Sequence, residues 1–480
     1  MNLLLIVTDQ ERAPMHWPEG FARSRLKTRE RLLQNGVSFE KAICNTAMCS
    51  PSRATFLTGV MPARHGVVDT LTSNGPVSAG ERELSPDIPN IASMLGAAGY
   101  DVQYRGKWHL SKDADGSTDV SAEDLARYGF NGWVAPDAGE DTQPENFGGG
   151  RADHDARYIR EAIDYLEQRS QKGDQRPFCL VVSLVNPHDV LAYPRDWSED
   201  YTEADIAGEV ELPPSHDEDL SANLKPTAHA KMGPLIDMAA GAFENDAEQL
   251  AYVNFYANLT VRIDEQLASL IDRFYDQDGS PTELGKDTLI VRFADHGELG
   301  LSHGGLRQKA FNVYEETIRV PLIFSNPGLA PDGGCASDAP ASLIDIIPTV
   351  ASILGVEPLA DVEGVDLSPM IQDPEAAAVQ QDVYFTFDDL HASVGMVEEL
   401  LPGVPGNIRC VREPRYKFAR YCNLPGSAPD EFEMYDLESD PDELENLAHE
   451  SHPRYADPGV AAERERLAAR LAQLEEQRAA

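Results

Sequence analysis

Cys49-Ser50-Pro51-Ser52-Arg53-Ala54-Thr55-Phe56-Leu57-Thr58-Gly59 sets a thiol, a proline two residues on and an arginine four residues on at the mouth of a short helix. Pro51 suits a first-turn position, where its missing N–H costs nothing, and Gly59 suits the stop. The free N–H groups and positive dipole end of such a helix attract an anion, and Arg53 adds a fixed cation with a two-pronged guanidinium. A second pair, Lys107 and His109 in Gly106-Lys107-Trp108-His109-Leu110, follows an alternating stretch at 100–105, so the two are expected to share one face at a strand end. Asp9, Asp295 and His296 are candidate oxygen and nitrogen ligands for a divalent cation. Together these gather a thiol, fixed cations and candidate metal ligands suited to an anion.

Three apolar runs deliver such residues. Leu3-Leu4-Leu5-Ile6-Val7 ends in Thr8-Asp9-Gln10, the run at 178–185 ends in Asn186-Pro187-His188-Asp189, and the run at 288–294 ends in Asp295-His296-Gly297-Glu298. Continuous aliphatic runs are what strands buried on both faces require. Helical patterns fill the intervals at 90–98, 153–169 and 248–274. The alternation predicts an α/β fold, a large doubly wound and mostly parallel sheet flanked by helices, with ligands at the carboxyl ends of the strands. Asp9, His188, Asp295 and His296 all fall there.

The cysteine segment resembles the signature of the sulfatase family, C-x-P-S-R with a helix closing in T-G, and Gly106–Leu110 matches the family's G-K-W-H-L. Further similarity lies in Ser302-His303-Gly304-Gly305-Leu306-Arg307-Gln308-Lys309, in the Arg319-Val320-Pro321-Leu322 that follows Tyr314-Glu315, and in Tyr435-Asp436-Leu437 through Asn446-Leu447. The resemblance spans almost the whole chain. It implies that Cys49 is oxidised to formylglycine, whose hydrated aldehyde is the nucleophile, on one divalent metal held by Asp9, Gln10, residue 49, Asp295 and His296. Calcium is the family's usual ion. Gln10 replaces a second aspartate and His296 stands where many members have asparagine, so manganese or magnesium enter as alternatives. The same two departures are similar to choline-sulfatase-like enzymes and to phosphonate monoester hydrolases of the superfamily, whereas Lys107 and His109 favour sulfate.

By the same resemblance Arg53, Lys107 and Lys309 grip the sulfate, His188 (with Lys309) protonates the leaving alcohol, and His109 takes the proton that lets the aldehyde re-form and sulfate leave. His303 either orients substrate or caps its loop, and Arg319 is structural. The implied activity is hydrolysis of sulfate monoesters. Phosphonate monoester or phosphodiester hydrolysis is the nearer alternative, and a non-catalytic metal-binding relative the distant one. The implied partners are a small sulfate ester and a formylglycine-generating enzyme.

With 480 residues the chain exceeds one small core. A catalytic domain at 1–375 is expected, with a Pro- and acid-rich insertion at 194–248 as candidate lid. A smaller α+β subdomain at 376–480 is expected to carry short antiparallel strands at 383–387, 407–412 and 416–421. A helix at 461–477 sets Leu467, Leu471 and Leu474 on one face for the body or for a second subunit, which permits a dimer or tetramer. A net charge of −41 excludes nucleic acid and anionic membranes as partners. It suits either a salt-adapted surface or an ordinary acidic enzyme. Six cysteines in so long a chain do not form a disulfide framework, no apolar run is long enough to span a bilayer, and the first strand starts at once; a reducing cytoplasm is expected.

Overall fold

The computed structural model describes every residue except 73–77, 114–119, 139–153, 200, 332, 374, 390–403, 424–428 and 480. Its strands are β1 (Asn2–Asp9), β2 (Gly36–Phe39), β3 (Ala42–Ile43), β4 (Asp101–Gly106), β5 (Phe178–Pro187), β6 (Thr288–Ala294), β7 (Leu322–Ser325), β8 (Cys335–Ser337), β9 (Ala341–Ser342), β10 (Val383–Phe387), β11 (Asn407–Arg412), β12 (Tyr416–Cys422) and β13 (Glu431–Asp436). Seven of them form one sheet in the order β4-β5-β1-β6-β7-β2-β8. The half carrying the three apolar runs is parallel, from β4 through β5 and β1 to β6, while β7 runs antiparallel to both β6 and β2.

Strand alternation splits the interior in two. Leu3, Leu5 and Val7 of β1 face one core with Phe56, Leu57 and Ile347; Leu4 and Ile6 face another with Ile159, Ile263 and Leu267. The sheet is therefore covered on both sides, as continuous apolar strands demand. The helices over the second core are His154–Lys172 and Asp246–Ile271. The expected start of the former at residue 153 lies outside the described residues. Asn245 caps the latter by accepting from Ala247 N and Glu248 N.

The last four strands form an antiparallel sheet, β10 to β13 in sequence order. One face carries Val411, Phe418 and Met434 under Leu467, Leu471 and Leu474 of helix Pro458–Ala479. That helix thus spends its apolar stripe on the body. The other face, with Phe385, Cys410, Ala419 and Tyr421, belongs to the same core as the large sheet. The 194–248 segment is more ordered than its composition predicts. It holds a helix, Thr227–Ala240, that runs through Pro234 and buries Ala228, His229, Met232, Leu235 and Ile236.

Candidate active site

The site forms where β1 and β6 end side by side. Thr8 is in register with Ala294, so Asp9 and Asp295 leave their strands together. Asp295 Oδ1 accepts from Gln10 N at 3.1 Å and His296 N at 2.9 Å, tying the two exits to each other. On the other side the β1–β5 register shifts, with Val7 opposite Ser183 but Asp9 opposite Pro187. The extra length of β5 brings His188 out level with Asp9. Helix Cys49–Thr58 begins beside this edge with all ten residues buried, and Ser52 Oγ donates to Asp295 O at 2.6 Å. Cys49 Sγ thereby lies 3.7 Å from Asp9 Oδ1 and 3.3 Å from His296 Nε2.

Asp9, Cys49, Asp295 and His296 offer ligand atoms that all lie within 4.8 Å of one another, and all four are buried. His296 Nδ1 is 3.1 Å from Gly297 O, an acceptor, so Nδ1 carries the proton and the Nε2 lone pair faces the cluster. Burial, and then Lys309, keep this imidazole neutral although Asp295 pulls the other way. Two carboxylates and a neutral imidazole are a fitting donor set for a divalent cation. Burial alone would raise Asp9, but the Lys107 ammonium first, with the Arg53 guanidinium, holds its carboxyl well below the usual range. The Cys49 thiol is pushed up, by burial first and the Asp9 charge second. A protonated thiol is a poor nucleophile.

Three cations converge on the cluster. Lys107 Nζ is 2.6 Å from Asp9 Oδ2, and Lys309 Nζ donates to Gln10 Oε1 at 2.6 Å. Arg53 differs from its sequence reading as a free anion fork. Its Nη2 donates to Asp9 Oδ2 at 2.9 Å and forms an ion pair with Asp295 Oδ2 at 2.9 Å, and its Nη1 donates to Lys107 O at 3.1 Å and Ser183 Oγ at 2.7 Å. Only Nε is left over among the described residues, so Arg53 first of all bridges the two carboxylates. Gln10 Oε1 faces Lys309 because Glu298 Oε2 accepts from Gln10 Nε2 at 2.5 Å. The amide oxygen keeps a second lone pair for an ion.

Lys107 and His109 reach the site differently from the alternation expected of them. β4 ends at Gly106, whose φ of +97° and 1.8 Å approach of a hypothetical Cβ to Ser183 O exclude any side chain. Beyond it the chain turns, with His109 at φ 56°. Asp137 sets that turn by accepting from Trp108 N at 2.8 Å and His109 N at 2.7 Å. His109 Nε2 donates to Leu71 O at 2.7 Å, which leaves Nδ1 as the basic nitrogen, without a partner among the described residues. Burial, and then Lys107, hold this ring neutral. His188 is also buried and neutral, with Nε2 likewise unpartnered.

His303 is elsewhere engaged. Nδ1 is 2.7 Å from Glu218, Nε2 is 3.4 Å from Glu316, and the ring stacks on Tyr314 at 3.4 Å. Both nitrogens point at carboxylates, so the substrate-orienting alternative is replaced by a place in a buried ion network. Arg319, half-buried, bridges to Glu315 at 3.8 Å, as expected of a structural residue. Sequence reasoning missed Asp137, Glu298 and Ser183. No spacing rule marks a residue that acts by holding a distant backbone.

The fold is of the alkaline phosphatase-like class, and its site sets a buried cysteine and three cations about a candidate metal cluster. A family model described as Sulfatase matches residues 1–356, and one described as N-sulphoglucosamine sulphohydrolase, C-terminal, matches 303–477. The chain belongs to the sulfatase family and is a sulfuric ester hydrolase. It is 24% identical over 429 residues to a Delta 4,5-hexuronate-2-O-sulfatase of Bacteroides thetaiotaomicron, covering 89% of this chain and 80% of that protein. It is 27% identical over 473 residues to a choline-sulfatase of Rhizobium meliloti, covering 93% and 82%. Among solved structures, a 2-O GAG sulfatase matches with TM-score 0.73 and 23% identity over 99% of this chain and 92% of its own. A phosphonate monoester hydrolase from Silicibacter pomeroyi matches with TM-score 0.69 and 22% identity over 99% and 95%; both are likenesses of fold.

Proposed function

We propose that the protein hydrolyses sulfate monoesters with a formylglycine made from Cys49 and one divalent ion held by Asp9, Asp295, His296 and Gln10. The observation that carries the reading is the set of four ligand atoms within 4.8 Å that includes Cys49 Sγ, with Lys107 and Lys309 beside it. Converted to formylglycine, residue 49 supplies a hydroxyl where the encoded thiol is protonated and a poor nucleophile. A bound ion adds charge that acidifies that hydroxyl and screens the approaching anion.

The remaining roles belong to the chain. Lys107 and Lys309 offset the repulsion between an anionic nucleophile and an anionic ester, in a dry site where fixed charges act strongly. Arg53 bridges Asp9 and Asp295 and helps keep Asp9 ionised. Burial and the lysines hold His188 neutral; the negative charge of a sulfate ester beside it raises its proton affinity, so it gains a proton with the substrate and passes it to the leaving oxygen. His109 accepts a proton at Nδ1 in the second half of turnover, its Nε2–H being committed to Leu71 O. Calcium, manganese and magnesium all suit the donor set. All six cysteines are free thiols, which supports a reducing compartment such as the cytoplasm.

The deciding experiment compares kcat/KM for an aryl sulfate and an aryl phosphonate monoester, using protein coexpressed with a formylglycine-generating enzyme and supplied with calcium or manganese. A strong preference for sulfate is expected from Lys107 and His109. A preference for phosphonate would transfer the assignment to the reading favoured by Gln10 and His296.

A further inference from the structure

Between the metal-site residues Asp295–His296 and Lys309 the chain follows an unusual path. Gly300, Leu301, His303, Gly304, Gly305 and Gln308 all have positive φ, three of them non-glycine residues for which that region is unfavourable. Such a path persists only where its surroundings impose it. Two buried anchors do so. Glu298 Oε1 accepts from Gly300 N at 3.1 Å, Gln308 N at 2.9 Å and Tyr252 Oη at 2.7 Å. His303 is the other. Its N–H donates to Ser215 Oγ at 3.0 Å, its ring nitrogens face Glu218 and Glu316, and Gly304 N donates to Ser215 O at 3.0 Å.

The second anchor is a closed network. Glu218 also meets Lys225 at 3.2 Å, Glu316 meets His16 at 2.8 Å, and Glu443 meets Lys417 at 2.5 Å. Glu218 and Glu443 each meet a lysine and Glu316 lies between two imidazoles, so His303, Glu316 and Glu443 do not call for a metal ion of their own although their ligand atoms cluster. With Glu316 and Glu218 facing it, His303 titrates at about 9 and is an imidazolium at neutral pH despite its burial. The network joins the 215–225 part of the insertion to the loop that ends in Lys309. From the far side Arg307 is held by Asp237 at 2.8 Å and by Gly241 O.

We infer that His303, clamped between Glu218 of the insertion and Glu316, is a positioning residue that fixes the Lys309 ammonium against the leaving oxygen, so that the insertion sets the proton supply to the departing alcohol. The inference rests on the sulfatase reading and takes Lys309, beside its charge-offsetting role, to assist His188 at the leaving oxygen. A purely structural anchor would slow all substrates alike; a positioning residue for the leaving-group donor slows those that need the proton.

The test measures kcat/KM for substituted phenyl sulfates whose phenols span a wide range of acidity, in the metal-loaded enzyme and in His303→Gln and Glu218→Gln. The expected loss is ~30-fold or more for the least acidic phenol and no more than ~3-fold for 4-nitrophenol, whose departure needs little protonation. That steepening should vanish when either substitution is placed in a Lys309→Ala background. Equal losses across the series, or a steepening that persists without Lys309, would overturn the inference. If His303→Gln does not fold, Glu218→Gln decides, because it leaves the His303–Glu316 pair in place. A wild-type enzyme inert on every sulfate ester would instead sink the functional reading.

Discussion

Asp137→Asn isolates the second half of turnover. The Asp137 carboxylate receives the backbone N–H groups of Trp108 and His109 at 2.8 and 2.7 Å, and both residues are fully buried. An amide keeps one acceptor oxygen and turns an NH2 toward the other N–H, so one charge-assisted bond is lost and a buried donor is stranded. Each such loss is worth about 1–3 kcal/mol, and a total near 2–3 kcal/mol is expected in urea unfolding. The catalytic effect should exceed this. His109 sits at φ 56°, which a residue with a Cβ holds only under constraint. Relaxation by about 1 Å moves Nδ1 from its proton and costs on the order of 100-fold in rate. Nothing in the change touches Lys309 or His188, so departure of the alcohol should remain fast. Rapid-quench measurement on an aryl sulfate should therefore show about one equivalent of phenol per site ahead of slow steady-state release. Equal slowing of the first phenol release and of steady-state turnover would refute the placement of His109 Nδ1 as the base of the later step.

Chelation should abolish activity and lower the thermal midpoint, because Asp9 and Asp295 lose the ion that their shared site is shaped to hold; calcium or manganese should restore both, and an unchanged midpoint in differential scanning would argue against the site. The stability contributed by His303 has a definite sign. Its proton affinity is raised in the fold, with Glu218, Glu316, Lys225, His229, Tyr314 and Glu443 around it, so the contribution is whole below about 6.5 and is lost as pH rises through about 9. Urea titrations at pH 6 and 9.5 should differ by about 3 kcal/mol more in the wild type than in His303→Gln.

The three central strands were readable because burial on both faces leaves runs that are mostly apolar, with Arg292 and Ser183 among the exceptions. The residues at their ends, Asp9, His188, Asp295 and His296, were placed correctly by the same logic. Helix Thr227–Ala240 was not foreseen. Gly233 and Pro234 interrupt its middle, and its apolar positions at 228, 232, 235 and 236 are diluted by acid-rich flanks. The turn after β4 escaped for another reason. Strand alternation cannot extend past Gly106, where the approach of Ser183 O forces a backbone that carries Lys107 toward Asp9 and His109 toward Leu71. Arg53 was recognised as a cation of the site, but its partners were not, since they are contributed by β1, β5 and β6 from positions hundreds of residues apart in part.

A chain with net charge −41 must still admit an anion. At long range its surface repels sulfate, so capture cannot rely on steering and depends on contact. Within the site, Arg53 and Lys107 meet the carboxylates of Asp9 and Asp295, while Lys309 donates to the uncharged amide of Gln10. The neutral amide orients that ammonium without neutralising it. Because the cations are buried, salt that screens the acidic exterior leaves them largely unscreened. The same acidic exterior that opposes the substrate in dilute buffer therefore ceases to matter at high ionic strength, while the short-range grip persists.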